Sequence, residues 1–355
     1  MKAAIRYTIA VLSLVGMIAT WVAMAEIVQD LQTTYPKPYF LTYVVHSGYA
    51  FFLITWLVWR SLPCERFKRD DYCGKFGWHD YIEATIWLAF CSFASGYTWY
   101  LSLSRTSVSG NTAVYQSQSA FVFLLSVIFL KEKVTVLKVI SVVLSLAGVL
   151  LIALFPGPSH SNRDMHPSIW GYLLCAMAML FYVIFEIVYK KKAVHADDPL
   201  PLWNAVRVIG LVGIQTLLCY WPVLLILHGT EFEKFELPTG DNLRMLCIDV
   251  ALDGVYNVLL LVCISMSSPL FATVGLLLVL PVSVVADYVI HKHYTLPAIA
   301  FGGVALIALG FVGFCAAEYI LQRKEAARAQ SCELESSDSF SSSETRRLLS
   351  SSTSD

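Results

Sequence analysis

Long apolar stretches alternate with short polar segments along almost the whole chain. Ten of these stretches are long enough to cross a hydrocarbon layer about 30 Å thick, which takes roughly 20 residues of α-helix. The predicted helices 1 to 10 cover residues 7–29, 39–60, 81–103, 108–130, 134–155, 169–189, 202–227, 243–265, 269–290 and 296–321. No loop between them has room for a soluble catalytic domain. The pattern therefore predicts an all-α polytopic membrane protein whose function lies between its helices.

Composition and charge agree with a bilayer environment. Of the 355 residues, 57% are hydrophobic and 14% are charged, against roughly 25% charged in a soluble domain. Eighteen of the 25 Lys and Arg residues fall on the side of the membrane that holds both termini, six fall on the other side, and Arg207 lies within predicted helix 7. Because Lys and Arg accumulate in cytosolic loops, this bias predicts that both termini are cytosolic.

The N-terminus allows a second interpretation as a cleavable signal peptide. Lys2 and Arg6 precede an apolar run, and residues 23–25 form a small-residue pattern typical of a cleavage site. Cleavage would leave nine helices. The apolar run continues to Val28, which is longer than the core of an ordinary signal peptide, so we expect a retained first helix.

The ten predicted helices divide into two sets of five, and an odd number of crossings gives the two sets opposite orientations. The segments that begin at Ser107 and Ser267 match weakly at an offset of 160 residues. A second weak match, between 148–154 and 303–309, needs a different offset. We therefore expect residues 1–155 and 156–322 to form two inverted five-helix repeats, an arrangement that places a transport site near the midplane of many secondary transporters.

Four segments carry a family resemblance, at 21–26, 35–43, 119–126 and 269–287. In this order they resemble the drug/metabolite transporter superfamily (EamA-like), and most closely the F subgroup of the solute carrier 35 family. The resemblance covers residues 7–321 and implies two inverted repeats with a substrate cavity between them. Thiamine-transporter-like members of the subgroup imply a small cationic or vitamin-like solute. Predicted helix 9 lacks the Gly-Ala-Leu-Asn-Lys signature of nucleotide-sugar carriers, and a nucleotide-sugar antiporter of the Golgi or ER is the alternative.

Acidic side chains inside predicted helices are the strongest functional signal. Each costs at least a few kcal/mol near the bilayer centre unless a cavity or a partner receives it. Asp249 and Asp253 share one face of predicted helix 8, and Asn257 continues that face. We expect these three residues to bind substrate and expect the two acids, with His46, to be candidates for proton coupling. In the structural alternative, one of the acids pairs with Arg207 or caps an interrupted helix.

Polar residues of two further helices complete the predicted site. Asn111, Tyr115 and Gln118 share one face of predicted helix 4 and are expected to face the acids across a central cavity. Such side chains can instead join helices by hydrogen bonds, which is the alternative for this stripe. The resemblance adds Glu26, which lies in a recurring segment of predicted helix 1.

The remaining aromatic and acidic residues refine the substrate class. Aromatic side chains accompany the acids on predicted helices 3, 6 and 8, at Tyr97, Trp99, Tyr100, Tyr182 and Tyr256. Carboxylates beside aromatic faces suit an organic cation, which gains from ion pairing and from cation–π contact. Glu186 is followed four residues later by Lys190, so we expect these two to form an ion pair on a helix surface rather than part of the site.

Small residues recur on predicted helix 10, where Ala298, Gly302 and Gly310 stand at steps of four and eight residues. Small residues let helices approach closely in a membrane. The resemblance would place a homodimer contact at this helix, although the sequence by itself does not require one.

Residues 323–355 form a Ser-rich, acidic tail that cannot bury a core and is expected to be disordered and cytosolic. Glu344 precedes Leu348 and Leu349 with the spacing of an acidic dileucine motif. Clathrin adaptors read this form of motif on cargo bound for endosomes and for lysosomes or vacuoles. We therefore expect adaptor binding and a lysosomal or vacuolar membrane, with the Golgi or plasma membrane as alternatives.

The sequence contains none of the common catalytic motifs. It contains neither a P-loop, a zinc-protease motif nor a nucleophile motif. The nine cysteines are dispersed and form neither a disulfide framework nor a metal-ligand spacing. The sequence therefore predicts a secondary-active or facilitative transporter of a small organic solute by alternating access, not an enzyme. It predicts no cofactor, no metal and no nucleic-acid partner.

Overall fold

The protein is helical throughout the part that the structure describes. The computed structural model describes residues 3–61, 78–103, 105–106, 108–155, 168–194, 201–282, 299, 301–321 and 323. The first twelve helices are α1 (Ala3–Thr34), α2 (Pro38–Gly48), α3 (Ala50–Ser61), α4 (Trp78–Leu103), α5 (Val108–Gln116), α6 (Gln118–Phe129), α7 (Val136–Leu154), α8 (Ile169–Lys192), α9 (Pro201–Cys219), α10 (Trp221–Gly229), α11 (Asp241–Met266) and α12 (Pro269–Leu276). A thirteenth, α13, spans Phe301–Leu321. These residues contain no strand, which confirms the all-α class.

Eight helical segments among the described residues are long and apolar enough to cross a membrane. They correspond to predicted helices 1, 2, 4 to 8 and 10, so the chain is a multi-pass membrane protein. Predicted helix 3 forms α4, which has 26 residues but carries Asp80 and Glu83 near its start. Predicted helix 9 forms an apolar helix over Pro269–Val282, and the rest of that predicted span lies outside the described residues. The described residues thus contain eight candidate spans, and ten spans remain a prediction.

Large apolar side chains cover the outer surfaces of the helices. On α7, Val136, Val143 and Leu150 recur every seven residues and are between 54% and 77% exposed. Ser141 and Ser145 of the same helix are buried against other helices. In water such an apolar stripe would be unfavourable, whereas lipid tails cover it in a bilayer. Helix α7 therefore turns its serines inward and an apolar face towards lipid.

Two long helix pairs form the centre of the bundle. α1 packs along α11, and α4 packs along α8. α2 contacts α4, α9 and α11, and α3 packs on α9. Most of the buried apolar side chains form a single cluster that runs through these helices. The interior enclosed by α1, α2, α4, α8 and α11 is where the candidate site lies.

Three predicted spans are interrupted near their middle. Predicted helix 2 divides into α2 and α3 at Tyr49, helix 4 into α5 and α6 at Ser117, and helix 7 into α9 and α10 at Tyr220. The third break has a local cause, because Pro222 at the start of α10 has no backbone N–H to donate. The first break matters for the site, because the side chain of Tyr49 points inward and is 1% exposed.

The segment between α10 and α11 closes one end of the bundle. The carboxylate oxygens of Glu233 accept hydrogen bonds from the backbone N–H groups of Tyr39 at 3.0 Å and Phe40 at 2.8 Å, which lie in the first turn of α2. These N–H groups have no partner within their own helix. Lys37 Nζ donates to Glu236 Oε2 at 2.7 Å. This hydrogen bond and the Lys37 charge lower the pKa of the exposed Glu236 carboxyl.

The small residues of α13 divide between two environments. Gly310 faces Ser141 and Ser145 of α7 within the same chain. Gly302 has no neighbouring atom within 4 Å of the position that a Cβ would take. Ala298 lies outside the described residues. Gly310 therefore serves a contact within the chain, and a homodimer through this helix stays a prediction.

Candidate functional site

A small cavity lies among α1, α2, α4, α5, α8 and α11, about halfway along α11. Its volume is about 60 Å³. Its walls are formed by Trp21, Met24, Val45, His46, Tyr49, Ser92, Ser95, Gly96, Trp99, Tyr100, Tyr115, Tyr182, Asp253, Tyr256 and Asn257. Within this described lining, Asp253 is the one acid and no Lys or Arg is present. The cavity therefore has an acidic and aromatic character.

Two neighbours hold Asp253 at the cavity wall. The hydroxyl of Tyr49 donates to Oδ2 of Asp253. Asn257 Nδ2 donates to the Tyr49 hydroxyl at 3.0 Å and to the backbone carbonyl of Asp253 at 2.9 Å. The side chain of Asp253 is only partly buried. A positioned carboxylate that stays accessible from a cavity can receive a cation or a proton.

Aromatic rings form most of the remaining wall. The ring centroid of Trp21 lies 5.3 Å from that of Tyr256, 6.2 Å from that of Trp99 and 6.5 Å from that of Tyr115. Tyr115 in turn lies 6.2 Å from Tyr182. Rings from α1, α4, α5, α8 and α11 thus surround the space in front of Asp253. Their faces attract cations and fit poorly with anions.

The cavity in this conformation is too small for an organic substrate. A volume of about 60 Å³ holds roughly two water molecules. Pockets that bind organic ligands measure roughly 300 to 1,000 Å³. An organic substrate therefore fits only after the surrounding helices move apart.

Asp249 lies one helical turn from Asp253 but in a different environment. Its side chain is 0% exposed, and it does not belong to the cavity wall. The hydroxyl of Tyr100 lies 3.4 Å from Oδ2 of Asp249. Because Tyr100 itself lines the cavity, Asp249 sits behind it in the packed interior. The structure therefore separates two acids that the sequence treats alike.

The polar stripe of predicted helix 4 also divides. Tyr115 lines the cavity. Asn111 donates to Ser102 Oγ at 2.7 Å and to Thr106 Oγ1 at 2.9 Å, so it links α5 to the end of α4 instead. Gln118, at the start of α6, is 2% exposed and lies outside the cavity wall. Asn111 and Tyr115 belong to the same helix α5, so a shared helix face does not by itself place a residue at the cavity.

Two further predicted residues lie on α1 and α2. His46 lines the cavity, and its Nδ1 lies 3.0 Å from the carbonyl oxygen of Thr42, so this nitrogen carries the hydrogen. Glu26 belongs to α1, and its side chain lies outside the described residues. The predicted sorting residues Glu344, Leu348 and Leu349 also lie outside the described residues.

The expected surface pair between Glu186 and Lys190 is wrong. Glu186 is 0% exposed, and neither of its carboxyl oxygens has a hydrogen-bond partner among the described residues. Lys190 Nζ instead donates to the carbonyl oxygens of Ile264 and Ser267, at 2.7 Å each. Both residues face α11, and the free carbonyl groups at the end of that helix attract the ammonium group.

Arg207 takes a partner other than the acids of α11. Its Nε donates to the hydroxyl of Tyr81 at 2.9 Å, and its guanidinium carbon lies 4.1 Å from the centroid of the same ring. Among the described residues it forms no ion pair with Asp249 or Asp253. Of the structural alternatives for the two acids, the pairing with Arg207 is therefore not found among the described residues.

Several wall residues were not predicted from the sequence. Trp21 stands at the centre of the aromatic wall, and Tyr49 donates to Asp253. Tyr49 follows His46 by three residues, so a shared helix face was a usable signal. Ser92, Ser95 and Gly96 carry no charge, and only the packing of α4 against α2 and α8 places them at the wall.

The fold of the chain is similar to that of a solved structure. A crystal structure of a protein that is 15% identical in sequence superposes with a TM-score of 0.61, covering 88% of this chain and 98% of the other. The described architecture is therefore one that is known from experiment.

Three relatives have names that refer to transport or to a membrane. The thiamine-repressible mitochondrial transport protein THI74 of Saccharomyces cerevisiae is 24% identical over 348 residues, covering 86% of this chain and 91% of that protein. Mouse solute carrier family 35 member F5 is 27% identical over 225 residues, or 62% of this chain and 41% of that protein. An uncharacterised vacuolar membrane protein of S. cerevisiae is 26% identical over 223 residues, or 59% of this chain and 55% of that protein.

A match to a family profile includes every residue that lines the cavity. The profile of the Triose-phosphate Transporter family matches residues 17–308. Together with the solute carrier 35 F relative, the match confirms the resemblance to drug/metabolite transporters. The chain therefore belongs to the Triose-phosphate Transporter family and is a membrane transporter, not an enzyme.

Proposed function

We propose that this transporter moves a small organic cation across its membrane by alternating access. The observation that carries the proposal is the chemistry of the cavity wall, in which Asp253 lies within aromatic rings and the described lining contains no Lys or Arg. A cation gains from the carboxylate and from the ring faces together. A diphosphate group would meet the negative charge of Asp253 with no nearby cation to offset it.

The aromatic wall favours a cation that is itself flat and conjugated. Trp21 and Tyr115 are inclined by only 22° at 6.5 Å, so they present nearly parallel faces on one side of the site. A vitamin of the thiamine type combines a positively charged ring with a second aromatic ring and would use both features. The name of the relative THI74 refers to repression by thiamine, and we extend this link to the present chain as part of the proposal.

We infer that ten helices form the two inverted repeats at residues 1–155 and 156–322. The contact pattern supports this arrangement. Predicted helix 1 packs on helix 8 as α1 with α11, and helix 6 packs on helix 3 as α8 with α4. In the proposed repeats, predicted helix 1 is equivalent to helix 6, and helix 3 is equivalent to helix 8. Exchanging the two repeats therefore turns the first helix pair into the second. The same exchange turns the contact of α2 with α11 into that of α9 with α4. Such repeats provide the two equivalent gates of alternating access.

Side-chain contacts on both sides of the cavity support a gated cycle. On the α2 side, the hydroxyl of Tyr39 donates to the carbonyl of Tyr220 at 2.9 Å, and Phe93 stacks on the Tyr220 ring at 4.2 Å. On the other side, the hydroxyls of Tyr189 and Ser265 lie 2.8 Å apart. Each set of contacts must break to admit substrate from its own side. We propose that they break in alternation around a site that stays in place.

Uptake by purified protein in liposomes tests the substrate class. The compounds are thiamine, choline, tetraethylammonium and two nucleotide sugars, and liposomes with Asp253→Asn protein are the control. We expect saturable uptake of at least one cation by the native protein and little by the variant. Exchange of a nucleotide sugar, with no cation uptake, would overturn the proposal in favour of a Golgi or ER antiporter.

We also propose a lysosomal or vacuolar membrane as the site of action. The acidic dileucine motif at Glu344, Leu348 and Leu349 suits recognition by clathrin adaptors on the cytosolic side. The vacuolar membrane relative supports the same compartment. Cytosolic termini follow from the distribution of Lys and Arg.

A further inference from the structure

Glu186 lies on α8, one turn beyond Tyr182, where the bundle is tightly packed. Its side chain is 0% exposed, and neither carboxyl oxygen has a hydrogen-bond partner among the described residues. It is not part of the cavity wall. An ionised carboxylate in such a place has lost its water without gaining a partner, which is strongly unfavourable.

The titratable groups around Glu186 offer it no opposite charge. α11 presents Tyr256 and Cys263, α5 presents Tyr115, and α8 itself presents Tyr182. The described residues of α6 and α12 carry no charged side chain, and Glu83 of α4 is exposed and paired with Lys192. The ammonium group of Lys190, the next turn of α8, is bound to the carbonyls at the end of α11. Glu186 is therefore an isolated acid among tyrosines.

A pair of tyrosines stands between this acid and the cavity. The hydroxyls of Tyr182 and Tyr256 lie 3.5 Å apart, and both residues line the cavity wall. Asp253 lies on the cavity side of the pair and Glu186 on the far side, towards the contact of Lys190 with Ile264. The two acids thus occupy different depths of the bundle, with hydroxyl groups between them.

We propose that Glu186 is a second, proton-binding site of this transporter, loaded in the closed conformation and emptied when α8 and α11 separate. A proton is the ligand that fits, because Glu186 is fully buried outside the cavity wall and the described residues hold no cluster of His, Cys, Asp and Glu side chains that could bind a metal ion. On opening, water reaches the carboxyl group. The O–H bond then breaks, its electron pair stays on the carboxylate, and water takes the proton. The coupling of this step to substrate movement rests on the proposed function, whereas proton binding does not.

Infrared spectroscopy of the purified protein in lipid nanodiscs tests proton binding directly. A protonated buried carboxyl group has a C=O stretching band that is separate from the amide and carboxylate bands. We expect one such band in the native protein at neutral pH, its loss in Glu186→Gln, a shift in Glu186→Asp, and its disappearance as the pH rises. Glu83→Gln is the matched control, because Glu83 is exposed and paired with Lys192.

Two outcomes would overturn the proposal. Absence of any band that depends on residue 186 at all pH values would show an ionised carboxylate. A band that persists unchanged at every pH, and on addition of each transported cation, would show a permanently neutral structural group. Glu186→Asp controls for misfolding of Glu186→Gln, since it keeps a carboxyl group at the same position.

Proton flux in proteoliposomes tests the coupling separately. With a pH-sensitive dye trapped inside and the cation panel outside, we expect native protein to move protons against the transported cation. Glu186→Gln should lose this flux at least tenfold and keep exchange of labelled for unlabelled cation. Equal loss of both activities, or of neither, would overturn coupling through Glu186. If native protein transports none of the cations, the proposed function fails, while the infrared result still decides whether Glu186 binds a proton.

Discussion

Gly148 of α7 and Gly303 of α13 meet backbone to backbone. A Cβ on Gly148 would lie 2.5 Å from the carbonyl oxygen of Gly303, and a Cβ on Gly303 would lie 2.7 Å from the carbonyl oxygen of Gly148. The same two residues begin the weakly matching segments 148–154 and 303–309. A reciprocal contact between matching residues is what a twofold axis between two repeats would produce, so this relationship supports the proposed inverted repeats.

We predict that Gly148→Ala and Gly303→Ala each destabilise the packing of α7 against α13. The added methyl group meets backbone, which cannot rotate away, so the expected cost is about 1 to 3 kcal/mol. Gly302→Ala is the matched control on the adjacent position, because it has no neighbouring atom within 4 Å. Thermal unfolding followed by tryptophan fluorescence in detergent measures the effect. Equal midpoints for the Gly148 and Gly302 variants would contradict the close contact.

The second prediction concerns topology. We expect ten crossings with both termini in the cytosol, because 18 Lys and Arg residues lie on the side that holds the termini. Fluorescence protease protection, with a fluorescent tag at either terminus, measures which side each terminus faces after selective permeabilisation of the plasma membrane. Both tags should be lost on protease addition. A protected N-terminal tag, or one released during biosynthesis, would favour the interpretation with a cleaved first segment.

The positions of the helices were predictable, because hydropathy depends on the bilayer and hardly on neighbouring helices. The prediction for predicted helix 8 covers 243–265, and α11 spans Asp241–Met266. The positions of the breaks within spans were harder to predict from the sequence. Tyr49 and Ser117 occupy breaks with no proline in place, so only the packing of other helices decides them.

The candidate site was predictable only to the level of a helix face. Asp249 and Asp253 share a face, but Tyr100 covers one acid while Tyr49 holds the other at the cavity. Both tyrosines come from other helices, so no pattern within predicted helix 8 distinguishes the two acids. The predicted ion pair between Glu186 and Lys190 was wrong for a related reason. The spacing rule for ion pairs assumes an exposed helix face, whereas Glu186 is buried inside the bundle.

The third prediction concerns sorting. If Leu348 and Leu349 are read by clathrin adaptors, replacing both with Ala should move the protein from a lysosomal or vacuolar membrane to the cell surface. Surface biotinylation and microscopy of a tagged protein measure the shift. Replacement of serines 350 and 351 by Ala, immediately after the motif, is a control for general disturbance of the tail. An unchanged location in the double Leu variant would leave the motif without a sorting role.

The last prediction concerns the two acids of α11, which the structure makes unequal. Asp253→Asn keeps the size of the side chain and an oxygen for the Tyr49 hydroxyl, but it removes the charge. Transport of the cation should fall at least tenfold, which corresponds to about 1.4 kcal/mol of lost stabilisation. Asp249→Asn should lower transport less than about threefold, because Asp249 lies behind Tyr100 and does not line the cavity.

Initial rates in proteoliposomes, normalised to the amount of folded protein, separate the charge from packing at these two positions. Asp241→Asn is the control, because it makes the same substitution at an exposed position in the first turn of α11. Tyr49→Phe adds a second test, since it leaves the ring in place and removes the hydroxyl that donates to Asp253. We expect weaker cation binding in this variant with a smaller change in the maximal rate, because the charge remains but its position is no longer fixed. If Asp249→Asn abolishes transport while Asp253→Asn does not, the substrate binds behind Tyr100 instead. If both Asn variants transport normally, the acids are structural and the cation site must be abandoned.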